Sequence, residues 1–287
     1  MLRVIVTIIF LTIVSLNSSS SPGMKTSSAM LFLSSGAPRY YSFFNVLCDD
    51  KIYSLDFLAC ATRIGESIQG RDINIFEIGS GPVKILFIGG LHTGREDNTR
   101  LLAGEILSYF LGKPNEVQSA ITLYILPNAN PDGAANKTHN NSRGVDLNRN
   151  WPTQNWRSDP YHPSYGRVDG AGGASALSEP ETKSLYNFIL EKRPSIIFSW
   201  HSRAGIVEGN DIGFASELAE VYARAAQYTQ IYEWPYYEVT GAFGNAMEEA
   251  GIPAVDIELS TYKNTEFKKN LKGVNAVLNH ISQGSRQ

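Results

Sequence analysis

Short apolar blocks recur along this chain, each closed by glycine, proline or polar residues. Residues 73–78 and 83–88 are rich in β-branched side chains, and Gly79-Ser80-Gly81-Pro82 between them predicts a hairpin. Residues 121–126, 195–200 and 253–259 are apolar runs too short for helices and read as buried strands. Other stretches carry apolar residues three and four positions apart. These are 98–111 (Leu101, Leu102, Ile106, Phe110), 217–230, and 264–281 (Phe267, Leu271, Val274, Leu278, Ile281), all predicted as helices. Residues 55–64 are read as a helix too. Ser178-Glu179-Pro180-Glu181 has the form of a capping box with an early proline and predicts a helix to about Lys192. Strands alternating with helices imply an α/β fold around a mixed or mostly parallel sheet.

Two stretches break this rhythm. Residues 127–176 form a long polar segment rich in Asn and Gly, and a loop of that length in a compact domain usually carries function. At the other extreme, Arg3 precedes an apolar run over 4–16 and then a Ser-rich region. That order reads as a secretory signal, although no A-x-A site marks a cleavage point. An uncleaved anchor or a buried N-terminal strand are the alternatives. The chain is therefore divided into a signal or anchor (1–23), an unassigned segment (24–47) and a catalytic domain (48–287). It is expected to be exported, periplasmic or secreted.

Composition narrows the partners. The 287 residues are 43% hydrophobic and 18% charged, with a net charge of −3. That is ordinary for a globular domain and gives no support for nucleic-acid binding. The two cysteines, Cys48 and Cys60, could pair in an exported protein or remain free thiols on a helix.

Candidate chemistry clusters just past the predicted strand ends, where α/β sheets place ligands. His92 and His201 each follow an apolar run, and Glu96 lies on a glycine-containing turn beyond His92. Two imidazoles, a carboxylate and an open position form a catalytic zinc pattern. A Glu96–Arg95 ion pair and a core His201 are the plainer readings. Asp146 is a candidate acceptor for the second N–H of His92, or a turn cap. Glu258 stands at the loop end of an apolar strand, where a buried carboxylate is costly unless paired or working. Asn148 and Arg149 offer an amide and a planar fork suited to a carboxylate. Tyr236 and Tyr237 could reach over a cleft or simply pack.

Seven collinear pieces carry a resemblance. They are Gly89-Gly90-Leu91-His92 with Glu96, Asn130-Pro131-Asp132-Gly133, Gly144-Val145-Asp146-Leu147-Asn148-Arg149-Asn150, Ser178-Glu179-Pro180-Glu181-Thr182, Trp200-His201-Ser202, Tyr237 with Thr240-Gly241-Ala242-Phe243-Gly244, and Ile257-Glu258-Leu259. Together they resemble the zinc carboxypeptidases of the funnelin type, and most closely the small bacterial murein tripeptide amidases. The resemblance implies an α/β/α sandwich, one Zn2+ on His92, Glu96 and His201, and Asp146 bonded to His92. It implies that Asn148 and Arg149 bind a terminal carboxylate, that Arg95 lines the cleft and that Tyr237 closes over the substrate. Glu258 would be the general base for a metal-activated water. Three departures stand out. One extra residue separates His92 from Glu96, a bulge that Gly94 can absorb. The slot of the carbonyl-polarising arginine holds His139, with Arg143 or Lys137 as possible stand-ins. The side-chain selectivity position is Gly244, which supplies no acid for basic side chains.

The expected activity is hydrolysis of the amide to a C-terminal residue bearing a free carboxylate, in peptides or in wall peptides with a γ-D-glutamyl–diaminopimelate bond. The substrate is the only partner expected. The chain is expected to be a monomer, with no membrane contact beyond an N-terminal anchor. Two alternatives are a non-catalytic zinc or peptidoglycan-binding module and an N-acyl amino acid deacylase.

Overall fold

The computed structural model describes the backbone of residues 45–48, 51–54 and 57–284, and the side chains from residue 61 to 284. The predicted signal lies outside the described residues, and the pairing of Cys48 with Cys60 outside the described side chains. The elements all belong to one compact unit, Phe44–Gln287.

Four parallel strands form the centre: β6 (Ile121–Leu126), β5 (Val83–Ile88), β9 (Ile196–Ser202) and β12 (Ala254–Leu259), adjacent in that order. Antiparallel strands extend the sheet on both sides. On one flank lie β4 (Asp72–Gly79), β3 (Phe57–Glu66), β2 (Lys51–Ser54) and β1 (Asn45–Cys48). On the other lie β10 (Ile206–Gly209), antiparallel to β12, and β11 (Thr229–Ile231). The sheet is mixed as expected, with its parallel part at the centre.

Alternation along the central strands builds two cores. Ile85, Phe87, Phe198, Trp200, Val255 and Ile257 face one side, against Leu102 and Ile106 of α1 (Asp97–Gly112), Leu218 of α4 (Ala215–Ala226) and Val274 of α6 (Phe267–Gly284). Leu86, Ile88, Ile197 and Ala254 face the other, against Leu185 and Phe188 of α3 (Pro180–Lys192) and Phe243 and Met247 of α5 (Phe243–Glu249). Helices thus cover both faces. A short α2 (Pro131–Asn136) and a two-strand ribbon, β7 (Tyr161–His162) with β8 (Gly166–Arg167), interrupt the long polar segment.

Several expectations are corrected. Residues 55–64 are not a helix: β3 is held in ladders with β2 on one side and β4 on the other, and this pairing overrides the helical leaning of its alanines. The predicted hairpin across Gly79-Ser80-Gly81-Pro82 does not form, because β6 inserts between β4 and β5. Ser178 is not the helix cap. Pro180 opens α3, and the Asn150 side-chain carbonyl accepts instead from the Glu179 amide (3.2 Å) and the Thr182 hydroxyl (2.6 Å). The 217–230 helix ends at Ala226, where Gln227 turns left-handed and β11 follows. The short β10 and α5 were not anticipated.

Candidate metal centre

The central strands deliver the chemistry at their C-terminal ends. After β5 the chain passes so close to α1 that a Cβ on Gly89 would lie 2.5 Å from the Ala103 Cβ and 2.7 Å from the Thr99 carbonyl oxygen. His92 follows. Gly94 then takes φ +60° and starts a 3₁₀ turn over Gly94–Glu96, so the extra residue between the two donors is absorbed there. A side chain at Gly94 would press on Lys137–His139, with contacts of 2.9–3.0 Å. Glu96 stands at the N-terminus of α1, where the helix dipole favours a negative charge.

His92, Glu96 and His201 are all buried. His92 Nδ1 lies 3.4 Å from Glu96 Oε2, and its Nε2 donates to Asp146 Oδ1 at 2.8 Å. Asp146 thus sits where an acceptor for the second ring nitrogen was expected. The rings of His92 and His201 meet edge-on at 5.2 Å. His201 Nε2 is engaged by the Ser199 hydroxyl at 3.0 Å, which leaves Nδ1 as its other ring donor. Glu96 Oε2 accepts the Ser202 amide at 3.1 Å.

His139 enters this group directly. Its ring stacks on His92 at 3.9 Å, and its Nε2 lies 3.2 Å from Glu96 Oε1. Among the described residues, His92, Glu96 and His139 form a set of potential metal donors, with ligand atoms within 4.8 Å of one another. That set differs from the expected one, in which His201 takes the third place. His139 is 39% exposed on a loop, while His201 is enclosed on the central strand β9.

A cleft of about 1790 Å³ opens over these groups. It is lined by Arg95, Asn148, Arg149, Tyr237 and Glu258, as well as by the three histidines. Asn148 Oδ1 accepts the Phe243 amide at 2.8 Å, which ties the Gly241–Gly244 segment to the clamp. Arg149 is buried and donates to the Asn148 carbonyl at 2.8 Å. Tyr237 packs on Tyr161 (5.9 Å) and Trp234 (5.6 Å), whereas Tyr236 is largely exposed. Arg95 and Arg203 stack on the Tyr262 ring, at 5.1 and 5.5 Å.

Two stand-ins for the missing arginine are corrected. Neither Arg143 nor Lys137 lines the cleft. Arg143 faces Glu179 at 3.6 Å, and Lys137 terminates α2 in a left-handed conformation. Of the three, only His139 faces the site.

Burial and charge set the protonation. Burial pulls the His92 imidazole down, but the Asp146 and Glu96 carboxylates outweigh it and raise its pKa to about 10. Burial likewise opposes ionisation of Glu96 and Asp146, and the positive His92 overcomes it, holding both below the carboxylate range. These two acids favour a positive charge at this spot, which His92 supplies when no metal is bound. His201 is neutral: burial and then His92 lower it to about 3. Burial, followed by the Glu96 charge, pushes Glu258 up to about 8. Imidazole nitrogens and a carboxylate, with no thiolate, suit Zn2+.

Sequence reasoning missed two residues here. Ser199, which orients His201, carries no motif signal. Asp256, in contrast, alternates with Val255 and Ile257 along β12, so it shares the face of Glu258. That alternation was legible.

The zinc carboxypeptidase family profile matches residues 56–209, just over half of the chain. A murein peptide amidase A from Vibrio campbellii is 29% identical over 239 residues, covering 78% of this chain and 89% of that protein. The murein-tripeptide amidase structure from Escherichia coli O157 superposes with a TM-score of 0.61 at 22% identity, over 77% of this chain and 91% of the other. A carboxypeptidase A from Helicoverpa armigera gives 0.65 at 20% identity, over 80% of this chain and 70% of the other.

Proposed function

The chain belongs to the zinc carboxypeptidase family, and from that premise we propose that it hydrolyses the amide to a C-terminal residue bearing a free carboxylate in bacterial wall peptides. The observation that carries this reading is the convergence of His92, Glu96, His201, Arg149 and Glu258 on one cleft. The substrate class draws support from the amidase of Vibrio campbellii, which aligns over most of both chains. An exported enzyme would meet intact wall peptides.

His92 Nδ1, Glu96 and His201 would hold the zinc, with Asp146 orienting His92 from behind. Zinc held there supplies Lewis acidity, which lowers the pKa of an attacking water and polarises the scissile carbonyl. Arg149 and the Asn148 amide receive the terminal carboxylate and set the scissile bond in register. Tyr237 covers the bound residue and shields it from water. Glu258 takes a proton from the attacking water and passes it to the leaving amine. Burial and then the Glu96 charge push this carboxyl up, and a cation bound beside it would favour the ionised form that accepts the proton. His139 occupies the place of the missing arginine and donates a hydrogen bond to the carbonyl oxygen as negative charge develops.

The test uses the chain lacking residues 1–23. Zinc is measured, and the protein is incubated with free-acid peptides, a muropeptide tripeptide and an N-acyl amino acid. Hydrolysis of the tripeptide is expected, falling about 100- to 10,000-fold in Glu258→Gln with zinc retained. Zinc binding without turnover would identify a binding module. Turnover of the N-acyl amino acid alone would identify a deacylase.

A further inference from the structure

The cleft contains a carboxylate that the mechanism above does not use. Asp256 lies two residues before Glu258 on β12, so both side chains leave the same face of the strand, with Cα positions about 6.6 Å apart. Asp256 lines the cleft, as does Glu208, its register partner on β10. The Oδ1 atom is enclosed and has no hydrogen-bond partner. Its nearest basic group is His201 Nε2, at 3.9 Å, already engaged by the Ser199 hydroxyl. No lysine or arginine pairs with it among the described residues.

Gly244 explains how the carboxylate reaches this place. It opens onto the cleft from the first turn of α5. A Cβ there would stand 2.7 Å from Asp256 Oδ2. The glycine thus vacates the space that Asp256 fills. The Asp256 side chain keeps 30% of its surface open to the cleft, so a ligand can reach it, while its enclosed Oδ1 stays without a partner until that ligand brings a counter-charge.

We propose that Asp256 is the specificity residue of this enzyme and pairs with a cationic nitrogen at the end of the substrate's C-terminal side chain. This rests on the carboxypeptidase reading above, because the substrate's α-carboxylate must first be held by Arg149. The spacing between Glu258 and Asp256 suits an extended four-carbon side chain ending in an ammonium. Glu208 adds a second negative charge beside the same spot and strengthens the preference. Gly244 itself supplies no acid; in this proposal the acid comes from the neighbouring strand.

Lysine and diaminopimelate share the required ammonium, and the assay separates them. Four peptides identical except at the C-terminus are compared, ending in lysine, norleucine, arginine or diaminopimelate. In the wild type, kcat/KM is expected to favour lysine over norleucine at least 10-fold, chiefly through KM. A further gain with diaminopimelate places its second carboxylate in contact with the protein, and parity with lysine means that only the ammonium is read. Arginine above lysine would overturn the four-carbon fit. In Asp256→Asn the lysine-to-norleucine ratio should fall to about 1. Gly244→Ala, which pushes on Oδ2 without touching the charge, should lower the ratio as well. Zinc content and melting temperature establish that the variants are folded. A wild-type ratio near 1, or a ratio unchanged in a folded Asp256→Asn, overturns the proposal. If no peptide is hydrolysed, the hydrolase reading fails separately. Calorimetry with N-acetyl-lysine and N-acetyl-norleucine then decides: tighter lysine binding lost in Asp256→Asn supports the pocket, and equal binding refutes it.

Discussion

Replacing Asp132 with asparagine should destabilise the protein and flatten its acid limb. Asp132 is fully buried in α2. Its Oδ1 accepts from the Ser67 hydroxyl (2.6 Å) and the Arg71 guanidinium (2.7 Å), and its Oδ2 from the Gln69 amide (3.0 Å) and the Ser142 hydroxyl (2.9 Å). One carboxylate thus joins the β3–β4 turn, α2 and the loop that carries His139. An asparagine presents an NH2 to two of these donors. The Ser142 hydroxyl can rotate to accept, but the Gln69 amide cannot, and an orphaned buried donor costs about 1–3 kcal/mol. The charge-assisted bond to Arg71 weakens by about another 1 kcal/mol. A loss of about 2–4 kcal/mol is expected, equivalent to about 4–16 °C in Tm for a domain of this size. Burial opposes ionisation of Asp132, yet the bonds from Ser67 and Arg71 hold its pKa below 3.8. A carboxyl with a depressed folded value contributes its full stability above the unfolded pKa and loses it as pH falls through the folded one. Urea titrations of the metal-free protein from pH 7 to 3 should therefore show the wild type losing more stability at the acid end than the variant does. A destabilisation below about 0.5 kcal/mol at pH 7, or parallel pH curves, would refute this reasoning.

Two further substitutions probe the site. Gly94→Ala places a Cβ at φ +60° against Lys137–His139, so it should cost about 1–3 kcal/mol of stability and weaken zinc affinity, read by competition with a chelator. Unchanged affinity would show that the turn can yield. Arg149→Ala should raise KM at least 10-fold for free-acid peptides and little for their amides. Equal effects on both would count against the carboxylate clamp.

The central architecture was legible because its strands are largely apolar runs too short to be helices. The blocks 83–88, 121–126, 195–200 and 253–259 all became core strands. Pairing was not legible. The Gly-Ser-Gly-Pro turn after β4 looks local, yet only the insertion of β6 decides the neighbours. Residues 55–64 show the same limit, because antiparallel partners on both sides outweighed their own composition. At the site, the motifs singled out His92, Glu96, His201 and Asp146, and all four line one cleft. The stacking of His139 on His92 was hidden, since it depends on how Gly94 folds one loop against another. Asp256 was readable from alternation but obscured by Glu258 beside it.

The central claim is that the metal is held by His92, Glu96 and His201, with His139 facing the substrate. The zinc content of dialysed protein, measured by plasma emission for the wild type and for His92→Ala, His201→Ala and His139→Ala, tests it most directly. The account predicts about one equivalent in the wild type and in His139→Ala, and almost none in the other two. Zinc retained in His201→Ala and lost in His139→Ala would contradict it, and would make the loop histidine the ligand.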